Sequence, residues 1–267
     1  MYFKKDNYTW IDVHNHVWMG PGRDTEKEKE WIDNTLKACD ALNIEIICVS
    51  KPHTSDQFVR PDVVKNCNDR VLDAMKISGR FRGFCFVNPG WAKDACEEIR
   101  RCHDLGMVGV KLYHHYFMND PAQTAVCELA GKLGMPILMH AGKAMDARSL
   151  AAQPRLSNAT HMIEAAERFP QTTFIQGHIG GGGDWEWNIR ALEKSPENLY
   201  VDISGSVHDA GIVRKLIDAI GPGRVLFATD MTYEGSVGKL LDAGVTDAER
   251  RMIARDNALR IMKGLLR

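Results

Sequence analysis

The sequence lacks the features that mark several large classes of protein. No stretch approaches the roughly 18 apolar residues of a membrane-spanning helix, and the start, MYFKKDNYTW, has no apolar run of signal-peptide length. The seven cysteines include no Cys-X-X-Cys pair and are odd in number, which argues against a disulfide framework or a cysteine zinc knuckle. We therefore expect a reduced, cytoplasmic protein with no membrane partner.

Charge of one sign is not in excess either. Lysine and arginine number 34 against 35 acidic residues, for a formal net charge of −1, so the chain has no electrostatic footprint for nucleic acid. No Gly-X-Gly-X-X-Gly follows an apolar run, which removes the main signature of dinucleotide binding. A small-molecule substrate is the expected partner, and the sequence leaves a homo-oligomer open.

Short apolar, β-branched runs recur, each followed by a polar or glycine-rich loop and then a helical pattern. The predicted strands cover residues 10–16, 45–50, 83–88, 109–113, 137–140, 173–177, 199–203 and 225–229. Between them apolar residues recur at helical spacing, as in Ile212, Leu216 and Ile220. Eight strand–helix units in 267 residues average about 33 residues each, close to the length of a βαβ repeat.

Eight parallel strands in an α/β protein form either a (β/α)8 TIM barrel or a doubly wound open sheet. We favour the barrel because its strand ends surround one opening, where polar residues from distant strands can converge. No linker divides the chain, since the glycine run 180–183 directly follows a strand and is too short for one. The prediction is a single-domain TIM barrel over residues 1–267.

A His-X-His pair, His14 and His16, closes the first apolar run. Alternate side chains of a strand point to the same face, so both imidazoles aim at one point. Nitrogen donors suit zinc, iron, nickel or manganese better than calcium or magnesium. The pair alone is equally compatible with a solvated strand end.

Three further polar residues fall at the ends of predicted strands. His140 ends MPILMH, His178 follows TFIQG, and Asp230 ends VLFATD. Singly, each has an ordinary explanation as a core histidine or a helix cap. Together they lie at the face where barrel enzymes keep their chemistry. Four of the strand-end residues would supply three nitrogens and one carboxylate, which fits a tetrahedral or five-coordinate divalent metal. They are His14, His16, His140 and Asp230.

The order of these residues along the chain resembles that of the amidohydrolase superfamily. Four segments are similar to its amidohydrolase-related branch: GHIGGGGDWEWNI at 177–189, VDISGS at 201–206, ATD at 228–230 and ARDNALRIM at 254–262. That branch contains amino-carboxymuconate-semialdehyde decarboxylase, resorcylate-type decarboxylases and several lactone or amide hydrolases. The resemblance spans residues 10 to about 262 and specifies no substrate.

The resemblance implies that the same four residues bind the metal and that His178 is a catalytic acid–base. Asp230 would both bind the metal and accept the proton of an activated water, with His178 polarising the substrate or carrying the proton onward. We predict one divalent ion, zinc, with manganese, iron or cobalt as alternatives.

Lys111, in GVKLY of the fourth strand, is a second point that the resemblance raises. Binuclear members of the superfamily carry a carboxylated lysine there, which bridges two metals. The alternatives are a cation that binds an anionic substrate or an ion pair with Asp12 or Asp230. We rank one metal ahead of two, with a second metal if Lys111 is carboxylated.

Other residues that follow strands are predicted to line the substrate pocket. They are Trp18, Lys51, His53, Tyr113 and His208. The leading hypothesis is a metal-dependent hydrolase of an amide, ester or lactone in a small carboxylated molecule. The alternatives are a non-oxidative decarboxylase of an aromatic or muconate-like acid in the same fold, and a non-catalytic small-molecule-binding barrel.

Overall fold

Eight parallel strands form one sheet in strict sequence order in the computed structural model, which describes residues 6–18, 24–54, 58–181 and 183–266. The strands are β1 (Trp10–His16), β2 (Ile44–Ser50), β3 (Phe81–Phe86), β4 (Gly109–Leu112), β5 (Ile137–His140), β6 (Phe174–Gly177), β7 (Leu199–Asp202) and β8 (Val225–Leu226). Each pairs in parallel with the next. Two hydrogen bonds join the last strand region to the first: Val13 N donates to Phe227 O at 3.1 Å, and Asp230 N donates to His14 O at 2.8 Å. The sheet thus closes into the predicted (β/α)8 barrel.

Helices follow the strands around the outside of the barrel. They are α1 (Thr25–Leu42), α2 (Pro61–Ile77), α3 (Ala92–Asp104), α4 (Thr124–Leu133), α5 (Ala147–Ala152), α6 (Ala159–Arg168), α7 (Trp185–Leu192), α8 (Ile212–Ile220), α9 (Tyr233–Asp242), α10 (Asp247–Arg251) and α11 (Asn257–Ile261). A π-helical turn, Met252–Asp256, joins the last two. No helix within the described ranges is long and apolar enough to cross a membrane.

Two strands differ from their predicted bounds by more than one residue, for identifiable reasons. Within the predicted strand 225–229, only Val225 and Leu226 pair with β7. The strand ends there because the next residue, Phe227, donates its N–H to Ile253 O and accepts from Val13 N. The predicted strand 83–88 begins earlier, since Phe81 pairs with Ile47 of β2, and it ends before the Pro89 turn.

A buried apolar cluster fills the barrel interior beneath the strand ends. Leu138 and Tyr200 belong to it, and each lies two residues before a polar residue on the same strand face, His140 and Asp202. Residues of α11, including Ile261, pack against the same cluster. A polar layer therefore sits on an apolar one, which is the usual arrangement at the active face of a barrel.

Candidate metal centre and active site

The carboxyl ends of the strands bring six predicted residues together. They are His14, His16, Lys111, His140, His178 and Asp230. Of these, His14 and Lys111 are fully buried, and the Asp230 side chain is 25% exposed, so the cluster opens to solvent on the side of Asp230. His14, His178 and Asp230 each offer a ligand atom within 4.8 Å of the others'.

β1 supplies the His-X-His pair, and the two imidazole centroids lie 5.3 Å apart, as the strand spacing predicts. His14 Nδ1 lies 2.8 Å from Asp202 Oδ2, at the end of β7. A carboxylate can only accept, so His14 donates through Nδ1 and turns the lone pair of Nε2 towards the cluster. His16 Nδ1 lies against Ser50 of β2, and its Nε2 lies 3.0 Å from Asp230 Oδ1.

His178 and His140 form the other half of the cluster, with His178 Nε2 3.1 Å from His140 Nδ1. Ser204 Oγ donates its single proton to Asp202 Oδ1 at 2.6 Å, so it accepts from His178 Nδ1 at 2.9 Å. His140 Nε2 lies 2.9 Å from Gln153 Oε1, an amide oxygen that accepts.

These partners give a test of whether the residues suit a cation. Since His178 and His140 each donate through their outward nitrogen, two lone pairs face one another at 3.1 Å, with the Asp230 carboxylate 3.7 Å from His178. Such an arrangement is repulsive unless a positive charge lies among the donors. Burial also lowers the pKa of His14, His16, His140 and His178, to about 4 for His178, so the imidazoles are neutral and able to bind a metal at pH 7. The donor set fits a divalent metal.

Lys111 lies inside this donor set. Its Nζ is 2.7 Å from His14 Nε2 and 6.0 Å from the Tyr113 ring centroid. A lysine ammonium donates to the same lone pair that a metal would use. Burial lowers the pKa of Lys111 to about 8, against the opposing charges of Asp230 and Asp202. The uncarboxylated Lys111, still protonated at pH 7, therefore competes with a metal cation for His14.

The residues predicted to line the pocket are placed in four different surroundings. Tyr113 stacks on His140, with ring centroids 4.3 Å apart, and so lies beside the cluster. Lys51 Nζ donates to Trp18 O at 3.0 Å, and the Trp18 ring lines a groove between α1 and α2. His53 is half-buried in the loop after β2, and His208 is exposed and packs on Gly235 of α9.

Several residues that build the site were not predicted from the sequence as site residues. Asp202 and Ser204 lie in the VDISGS segment, and a buried acidic residue at the end of β7 was a usable signal. Gln153 and Ser50 carry no such signal. Asp12 supports the site from below the histidines. It accepts from Thr229 Oγ1 at 2.5 Å and from His14 N at 3.1 Å, and these bonds connect β1 to the strand region that carries Asp230.

The backbone is strained where the site residues leave their strands. His178 has φ +72°, Asp230 +44° and Met231 +66°, values that L residues other than glycine adopt at a cost of about 1–3 kcal/mol each. The glycine run stabilises the loop that carries one of these residues, His178. Gly181, at φ +60°, approaches Ala141 O so closely that a Cβ would lie 2.5 Å from that oxygen. This contact holds the loop after β6 against the loop after β5, which fixes His178 relative to His140.

The sequence of this chain matches the model of one protein family. The amidohydrolase family model matches residues 11–263, nearly the whole chain, and the chain belongs to the amidohydrolase family, a family of enzymes. No curated protein is similar enough in sequence to be recognised as a relative.

Solved structures of the same fold match over almost the full length of both chains. A 2,6-dihydroxybenzoate decarboxylase from Rhizobium is 22% identical, with a TM-score of 0.73 over 96% of this chain and 98% of that chain. The 4-oxalomesaconate hydratase from Rhodopseudomonas palustris is 19% identical, with a TM-score of 0.75 over 95% of each chain. A dihydroxybenzoic acid decarboxylase from a Polaromonas species, solved with manganese and the inhibitor 2-nitroresorcinol, is 18% identical, with a TM-score of 0.71 over 96% of this chain and 97% of that chain. At these identities the likeness establishes the fold.

Proposed function

We propose that this chain is a metal-dependent hydrolase that cleaves an amide, ester or lactone bond in a small carboxylated molecule. The observation that carries the proposal is the set of inward-facing lone pairs of His14, His140 and His178 beside the Asp230 carboxylate. His14, His16, His140 and Asp230 would hold the metal. When bound, a divalent metal supplies Lewis acidity that lowers the pKa of a coordinated water towards about 7.

Asp230 and His178 would carry the proton. The two oxygens of Asp230 face different partners, Oδ1 towards His16 Nε2 at 3.0 Å and Oδ2 towards His178 Nε2 at 3.7 Å. A proton that Asp230 takes up therefore has a short path to His178, whose ring is held by Ser204 on its far side. His178 can then deliver the proton to the leaving group.

The chemical form of Lys111 determines whether the site would hold one metal ion or two. As an uncarboxylated ammonium it would bind a substrate carboxylate once the metal has taken the lone pair of His14, and one metal suffices. As a carbamate it would present two oxygens beside His14, and a second metal becomes favourable. We propose one zinc ion per chain, and metal analysis by mass spectrometry after reconstitution with zinc, with and without bicarbonate, distinguishes one equivalent from two. A bicarbonate-dependent second equivalent would overturn the single-metal form of the proposal.

Decarboxylation of an aromatic or muconate-like acid is the second candidate function. It is favoured by the structural likeness to enzymes named as dihydroxybenzoate decarboxylases and by a fully buried cation, Lys111, at the centre of the cluster. The reaction would use the same donors, with the proton delivered to carbon in place of a leaving group. Cytoplasmic location, a homo-oligomer and a single-domain organisation stay predictions.

One experiment separates these functions. The zinc-loaded protein is incubated with a panel of carboxylated amides, lactones and esters and a panel of hydroxybenzoic acids, while released acid or amine and released carbon dioxide are measured in parallel. Release of acid or amine supports hydrolysis, and release of carbon dioxide supports the second candidate. Metal binding without turnover of either panel would favour a binding barrel, and failure of the wild type to take up any metal would overturn the proposal.

A further inference from the structure

The segment that follows β5 reaches from the surface back into the metal centre. It leaves the barrel at Ala141, which forms a β-bridge with Ser157, so the segment starts and ends at the same place. Between these points lies the short helix α5, none of whose residues is buried. The residue directly after it, Gln153, has its backbone N–H bonded to Ser149 O at 3.0 Å and its carbonyl bonded to Leu156 N at 3.1 Å. Gln153 is thus held firmly at the end of an otherwise exposed helix.

The Gln153 side chain points from this position at His140. Its Oε1 lies 2.9 Å from His140 Nε2, on the side of the ring that faces away from the cluster. In this orientation of the amide the oxygen faces the ring and only accepts, so the contact requires the proton of His140 to reside on Nε2. The lone pair of Nδ1 is then left for the cluster, 3.1 Å from His178 Nε2.

His140 needs such a partner more than the other histidines do. His14 is fully buried with its Nδ1 against Asp202, and His178 is 3% exposed with its Nδ1 against Ser204. His140 is the least buried of the three, and an imidazole that lacks a fixed acceptor can hold its proton on either nitrogen. With the proton on Nδ1, the ring would present a hydrogen to His178 and no lone pair to a metal.

We propose that Gln153 is a positioning residue that selects the metal-binding tautomer of His140. The inference deepens the proposed function and rests on it, because it takes His140 as a metal ligand. Partners of this kind orient metal-bound histidines generally, and their loss costs about 10–100-fold in metal affinity. Through Gln153, the exposed helix α5 therefore affects how tightly the cluster binds a metal.

Three variants test this role. Gln153→Met keeps the length of the side chain and removes the acceptor, and Gln153→Glu keeps an acceptor that cannot donate. Gln171→Met is the matched control, because Gln171 is exposed and precedes β6, at the opposite end of the barrel. Zinc affinity is measured by competition with a chromophoric chelator, and the His140 tautomer by 15N NMR of the metal-free protein.

We expect Gln153→Met to bind zinc about 10–100-fold more weakly and to show a mixture of His140 tautomers, with Gln153→Glu and Gln171→Met close to wild type. A purely structural role for Gln153 would lower the melting temperature without moving the tautomer signal. Wild-type zinc affinity and an unchanged tautomer in Gln153→Met would overturn the inference alone. If the wild type takes up no zinc, the proposed function fails, and the tautomer measurement by itself decides the role of Gln153.

Discussion

Replacing Asp202 with asparagine should reverse the tautomer of His14 with almost no change of shape. Asp202 is fully buried, and its Oδ1 accepts from His178 N at 3.0 Å, Ser204 N at 2.9 Å and Ser204 Oγ at 2.6 Å. Its Oδ2 accepts from His14 Nδ1 at 2.8 Å. Because three donors hold the oxygen of the new amide on the Oδ1 side, its NH2 group must face His14. His14 can then accept only through Nδ1, and its proton moves to Nε2.

The expected loss of zinc affinity follows from the loss of the His14 Nε2 lone pair. With a proton on Nε2, His14 has no lone pair for a metal and presents a hydrogen to Lys111 Nζ, 2.7 Å away. Altered partners of metal-bound histidines typically cost 10–100-fold in metal affinity, and an inverted tautomer belongs at the upper end, at about 100-fold or about 2.7 kcal/mol. The packing is retained, so the folded protein should persist.

Zinc competition with a chromophoric chelator measures this loss directly, and the zinc-induced rise in melting temperature reports it independently. Asp209→Asn is the matched control, because Asp209 is exposed and accepts from Trp185 Nε1 outside the cluster. Wild-type zinc affinity in Asp202→Asn would refute the assignment of tautomers on which the metal centre is built.

Three further perturbations have defined outcomes. His178→Asn should lower turnover at least about 100-fold while zinc remains bound, with His103→Asn on α3 unchanged; retained turnover would dismiss His178 as the acid–base. Burial lowers the pKa of Lys239 to about 8, so from there to about pH 10.4 this residue holds more protons in the unfolded chain and by itself raises stability with pH, by up to about 3 kcal/mol. Lys239→Met removes this contribution, so its slope of urea-unfolding stability against pH should be more negative than that of the wild type over this range, and equal slopes for the two proteins would contradict the assignment. Gly205→Ala should cost about 1–3 kcal/mol, because Gly205 has φ +97° and a Cβ would lie 2.9 Å from His178 Nδ1. Gly238→Ala, where a Cβ meets nothing within 4 Å, should stabilise α9 by about 0.5–1 kcal/mol, and equal melting temperatures of the two alanine variants would count against the strain at Gly205.

Membership of the polar cluster followed from sequence because of barrel geometry. In a barrel the carboxyl ends of all strands lie at the same mouth. His140 and Asp230, 90 residues apart in the chain, were therefore predicted to meet. Both lie at the cluster, with Asp230 reaching it through His178 and His16. The assignment of individual metal ligands stays a prediction.

The pocket residues were harder to predict, because their side chains leave the barrel mouth on loops. Trp18 lies two residues beyond β1 and Tyr113 one residue beyond β4, yet the Trp18 ring packs between α1 and α2 while Tyr113 stacks on His140. Strand position fixes the direction of a residue within the ladder, and beyond the last ladder pair that constraint ends.

The sequence by itself determined the succession of strands and helices and the strand ends at which the polar residues stand, because periodicity and turn residues are local properties. Only the tertiary structure decided which nitrogen of each imidazole faces inward. That choice depends on partners far away in the chain, such as Asp202, 188 residues from His14, and on a loop that returns Gln153 to His140. Proton placement on a histidine is set by the acceptor that happens to pack against it, and packing is a property of the folded molecule.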